Sequence, residues 1–118
     1  MDDLDQNIRE FLPIQDDWRS LESLLELAFG STSPQRYYDA IFNLFERFPD
    51  DDGSGVFWSA LHGIEHHGNY ESKLLKYFRR QPGTMTKAML LRLRNAGQET
   101  IDGFPIDRLL DHGKGKGR

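Results

Sequence analysis

The chain has 118 residues, no cysteine, 37% hydrophobic and 12% aromatic side chains and a net charge of −4. That length suits one domain with its own core, and the missing thiols exclude disulfides and thiolate metal sites, in keeping with a reducing cytoplasm. The acidic balance speaks against nucleic acid as the main ligand, because phosphate binding needs concentrated Lys and Arg, and no apolar run approaches bilayer length.

Met1-Asp2-Asp3-Leu4-Asp5 is acidic where an export signal would be basic and then apolar. From there helical spacing recurs and strand alternation does not. Asp16 or Asp17 can cap a first predicted helix with Trp18, Leu21, Leu24, Leu25 and Ala28 on one stripe, ending at Gly30. Ser33-Pro34 reads as a cap followed by proline in the first turn of a second helix. Tyr37, Tyr38, Ile41, Phe42 and Phe45 form its apolar face, and Pro49 stops it. Asp50-Asp51-Asp52-Gly53-Ser54 is a loop, with Ser54 placed to cap a third helix from Val56 to about His67, and Gly68-Asn69 breaks that helix.

A fourth helix runs from Tyr70 or Glu71 to Arg80, carrying Leu74, Leu75, Tyr77 and Phe78 and ending before Pro82. A fifth spans Thr84 to Asn95, with Met85, Met89, Leu90 and Leu93 inward and Gly97 as a left-handed terminator. Glu99 to Asp111 reads as two short helical pieces interrupted by Gly103 and Pro105, with no hairpin expected. The fold class is therefore all-α: about six helices in antiparallel hairpins, either a compact bundle or a HEAT-like stack. Residues 1–112 form the single helical domain, and 113–118 (Gly-Lys-Gly-Lys-Gly-Arg) form a flexible basic tail.

The segment Val56 to His67 carries the sharpest chemical signal. His62-Gly63-Ile64-Glu65-His66 matches H-x-x-E-H, in which two histidines one helical turn apart hold zinc and the glutamate acts as base. Catalytic zinc needs a third ligand and an open position, and the only histidine outside this segment is His112. The architectural alternative has His62 and Glu65 bonding between helices, with His66 and His67 favoured near a helix C-terminus by its dipole. Pro49-Asp50-Asp51-Asp52-Gly53-Ser54-Gly55 is no calcium loop, because the twelfth position from Asp50 is Leu61 where an EF-hand needs glutamate. Lys73, Lys76, Arg79, Arg80, Lys87, Arg92 and Arg94 read as solvated helix faces, with Arg92 and Arg94 suited to inter-helix bonds. The aromatic set Tyr37, Phe42, Phe45, Phe57 and Trp58 is expected in the core. No serine lies in a G-x-S-x-G turn, so no catalytic residue is assigned.

Phe57-Trp58, Leu61-His62-Gly63-Ile64-Glu65-His66, Tyr70-Glu71 with Leu74-Leu75, Arg80-Gln81-Pro82, Met85 and Met89 to Gly97 form a pattern that resembles small helical immunity proteins. These are encoded beside bacterial polymorphic toxins, including contact-dependent growth inhibition and Rhs systems. The likeness covers roughly 56–97. It implies a cytoplasmic non-enzyme without cofactor or metal that binds a cognate toxin 1:1, with no direct nucleic-acid or membrane partner. The toxin would be a nuclease, a ribonuclease foremost, whose basic cleft the inhibitor occludes. His62, Glu65, Arg92, Asn95 and Gly97 match the shared pattern and are expected to support helix packing. Toxin contact is expected at Asp16, Asp17, Glu22, Glu26, Asp39, Glu46, Asp50, Asp51 and Asp52, with Tyr37 or Tyr38 as an aromatic anchor. Two alternatives remain: a small zinc-dependent hydrolase on His62, Glu65 and His66, and a helical adaptor module.

Overall fold

Tyr38, Ala40, Ile41, Phe42, Leu44 and Phe45 all fall on the buried side of one ten-residue helix, α3 (Tyr38–Arg47), which makes it the hub of the fold. The computed structural model describes residues 3–115. Around α3 pack α1 (Asp3–Arg9), α4 (Val56–His67), α5 (Glu71–Arg80) and α6 (Thr84–Asn95). The helix α2 (Arg19–Phe29) lies against α1 and α4, and α7 (Ile106–Gly115) closes on α6. The protein is all-α, with a single two-stranded ribbon among the described residues. One continuous hydrophobic cluster runs from Ile8 to Leu110.

Most expected elements stand where their periodicity puts them, and the departures have local causes. The helix α1 goes unanticipated because seven polar-rich residues offer only Leu4 and Ile8 to the core. Its C-terminal end is covered from α3, where the half-buried Arg47 donates to the Ile8 carbonyl of α1 at 3.1 Å and to the Phe11 carbonyl just beyond it at 2.8 Å. Pro34–Tyr37 forms a 3₁₀ turn ahead of α3 instead of its first α-turn. Ser54 does not cap α4, because its φ is 54° and the helix departs from Gly55 at φ 92°.

The largest departure is at 99–105. Thr100–Ile101 (β1) pairs antiparallel with Phe104–Pro105 (β2), Thr100 opposite Pro105 and Ile101 opposite Phe104. Asp102 and Gly103 both take positive φ, 48° and 83°, as the tight turn of a two-residue hairpin requires. Two helical pieces were expected here. Instead the hairpin occupies the first, and α7 runs unbroken through the second to Gly115. The helix thus enters the segment expected as tail, while residues 116–118 lie outside the described residues.

Gly97 terminates α6 as anticipated. Its φ is 100°, its N–H reaches the Arg94 carbonyl and the Gln98 N–H reaches the Leu93 carbonyl, the paired bonds of a Schellman end.

Candidate interaction surface

The connection between α1 and α2 is built on two aromatic posts. Phe11 and Trp18 are buried, with ring centroids 5.7 Å apart. Trp18 continues inward, edge-on to Phe48 at 5.2 Å and to Phe57 at 5.3 Å. Between the posts the chain turns tightly: the Asp17 N–H donates to the Ile14 carbonyl at 2.9 Å, and Gln15 and Asp16 carry φ of 53° and 62°. Two successive left-handed residues other than glycine are uncommon, and Asp tolerates the conformation better than most. Arg19 secures the exit of the turn. Its guanidinium grips both Asp17 carboxylate oxygens at 3.0 and 2.8 Å, and its backbone N–H donates to Oδ1 at 3.0 Å. These bonds from Arg19 hold the Asp17 carboxyl down at about 2, against an ordinary 3.8.

The turn leaves two large apolar side chains in water. Leu12 is 67% exposed and Ile14 77% exposed, the highest values among the large hydrophobics. Ile14 lines a groove of about 740 Å³ together with Asp16, Asp17, Trp18, Arg19, Glu22, Ser54 and Val56. The loop carrying Ser54 closes onto this groove because position 53 is glycine. A Cβ there would sit 2.9 Å from the Phe57 ring and 3.1 Å from the Trp18 ring.

The helix α2 extends the surface. Leu21, Leu25 and Ala28 face the core, which leaves Glu22 and Glu26 exposed on the flank toward α4. Glu22 lines the first groove and also a second, bounded by Leu25, Glu26, Phe29, Gly30 and Ser59. The two grooves therefore run into one strip between α2 and the start of α4. α2 and α4 can meet this closely because Gly63 has no side chain: a Cβ there would lie 2.4 Å from the Phe29 ring.

The strip carries four carboxylates, Asp16, Asp17, Glu22 and Glu26, and one cation, Arg19, which Asp17 already engages. Asp16, Glu22 and Glu26 form no ion pair among the described residues. Asp50, Asp51 and Asp52 are exposed in the loop that leads to Ser54, and the Asp51 carboxylate accepts the Gly53 N–H at 3.0 Å.

Four of the expected contact residues belong elsewhere. Tyr37 is buried, 6% exposed, and Tyr38 is fully buried with its hydroxyl donating to the Gly68 carbonyl at 2.6 Å, so neither can anchor a partner. Asp39 accepts from Lys73 Nζ and from the Tyr77 hydroxyl, both at 2.8 Å. Burial opposes ionisation of Asp39, yet those two bonds win and its carboxyl lies below the usual range. Glu46 is gripped by Arg80 through two 2.7 Å bonds. Both carboxylates fasten α3 to α5.

The imidazole segment is likewise taken apart by the geometry. Glu65 is held by Arg92 through bonds of 2.8 and 2.9 Å that tie α4 to α6. Asn95 lines the shallow groove beside that pair together with Tyr70. His62 does not brace the packing: it is exposed on α4, with its ring 6.3 Å from that of Trp58. His66 is exposed, and His67 lies half-buried, stacked on Phe29 at 5.7 Å. Among the described residues no three His, Cys, Asp or Glu side chains come together as a metal site requires. Trp58, expected in the core, is 36% exposed on the rim of α4.

Leu12, Ile14 and Arg19 were not singled out by sequence reasoning. A signal was present. Leu12-Pro13-Ile14 belongs to no run of helical spacing, so no amphipathic stripe is available to bury its apolar side chains. No family model, curated protein or solved structure matches this chain.

Proposed function

We propose that this protein is an immunity protein that binds a cognate toxin domain 1:1 and neutralises it by occluding the active site. The toxin would be a nuclease, in the first instance a ribonuclease, and the complex would form in the cytoplasm. The observation that carries this reading is the strip between α2 and α4, where four carboxylates stand against a single, already engaged guanidinium. A nuclease cleft is basic because it must hold phosphates. A fixed row of carboxylates can occupy it electrostatically, speeding encounter and selecting the partner. The exposed apolar groups on the same strip provide contact area that charge alone lacks.

The inhibitor performs no chemistry in this scheme. Glu65, the residue a zinc hydrolase would use as base, is engaged by Arg92, and so the hydrolase alternative gains no support. A general helical adaptor would use the same strip and differ only in its partner.

The test is co-purification of the full chain with the polypeptide encoded immediately upstream, followed by a nuclease assay of the mixture. A stoichiometric complex that abolishes cleavage is expected. The double substitution Glu22→Lys/Glu26→Lys should slow association and flatten its salt dependence. Absence of a complex with that polypeptide would refute the proposal.

A further inference from the structure

We infer that Leu12 and Ile14 are the apolar anchor of this interface, inserted into a non-polar recess on the toxin that is bordered by Lys and Arg. The inference rests on the immunity reading and adds where the interface closes and what the facing surface must contain.

Leu12 and Ile14 are 67% and 77% exposed, above the 63% of Leu27 on the outer side of α2, and unlike Leu27 they stand together beside the carboxylate-lined groove. They are not loosely exposed. The buried rings of Phe11 and Trp18 flank them in sequence, the Ile14–Asp17 turn bond closes behind them, and Arg19 locks Asp17. A projection held this firmly loses little freedom when it is covered, which is the condition under which apolar contact converts into affinity. The surroundings define the partner. Ile14 shares its groove with Asp16, Asp17 and Glu22, so a surface that covers the isoleucine must also meet carboxylates. A dry centre ringed by charge pairs is the usual anatomy of a specific interface. A second copy of this chain fits poorly. A twofold contact through the turn would bring the same carboxylates face to face, at the cost of like-charge repulsion.

The experiment titrates the full chain against the catalytically inactivated polypeptide encoded upstream, comparing wild type with Leu12→Ser/Ile14→Ser and with Glu22→Lys/Glu26→Lys. The serine pair should weaken binding roughly ten- to hundredfold, mainly through faster dissociation and with the salt dependence of wild type. Its melting temperature should stay that of wild type, since both side chains are in water. The lysine pair should act on association and on salt dependence. Wild-type-like binding by the serine pair overturns the anchor while leaving the immunity reading intact. If the wild-type chain fails to bind, both fall together. Concentration-dependent self-association of wild type that the serine pair abolishes would make a second copy the occupant, and would also overturn the inference.

Discussion

Asp17 shows how one side chain fixes a surface without stabilising a core. Its carboxyl, held near 2 by Arg19, favours the folded turn above about pH 4, and that contribution is lost as pH falls from the ordinary 3.8 toward 2. A carboxyl ¹³C titration of the full chain should therefore place the Asp17 midpoint at about 2. In Arg19→Gln its midpoint should return toward 3.8. An unchanged midpoint would mean that the grip seen here does not persist in solution. Asp39 and Tyr77 carry more weight because Tyr77 is buried. Removing the phenol in Tyr77→Phe takes away the 2.8 Å bond to Asp39 and should cost about 1 kcal/mol in chemical denaturation.

Helix contacts depend on a few positions where a side chain is either essential or forbidden. Arg47 covers carbonyls at the end of α1 from α3, and Arg47→Met should cost about 1–3 kcal/mol while exposing the N-terminal segment to limited proteolysis. Gly63→Ala would ordinarily favour a helix by about 1 kcal/mol. Here the added methyl would sit 2.4 Å from the Phe29 ring, so a net loss of about 1–2 kcal/mol is expected, relieved by Phe29→Leu in a double-mutant cycle.

At this scale the limits of sequence reading have physical causes. Long helices with a regular stripe, such as α3, α4, α5 and α6, announce themselves because burial enforces their period. The helix α1 has too few apolar residues to show one. At 100–105 the Asp102-Gly103 turn was itself a legible hairpin signal, and helical phase in the flanking residues masked it. Among site residues, exposed acids on α2 were legible because apolar spacing places them outward. Asp39 and Glu46 looked equivalent, and only the packing of α5 shows that Lys73, Tyr77 and Arg80 claim them.

Across the whole molecule, ring contacts link the surface to the interior. Phe11, Trp18, Phe48, Phe57, Phe45, Phe42 and Tyr77 form a chain of neighbouring centroids between 5.2 and 6.4 Å apart. Trp18→Ala should cost about 3–5 kcal/mol, read from urea unfolding. Burial pushes the Tyr70 and Tyr77 phenols up to about 12, with Asp39 adding to the effect at Tyr77. Each therefore supports the fold fully below about pH 10, and that support drains away as pH rises from 10 to 12. Phenolate absorbance and helical circular dichroism should accordingly change together in that window. Phenolate absorbance rising well below pH 10 would contradict this picture.

Trp18 is the floor of the outer groove and also a keystone of the interior. Under the proposed function, a lineage that must recognise a changed toxin has little latitude at such a position, since altering it would unmake the protein. The freedom lies at the brim and just beside it, where Leu12, Ile14 and Glu22 can be exchanged almost silently with respect to folding, whereas Asp16 is constrained by its left-handed backbone. Novelty in recognition would thus accumulate around a centre that stays still.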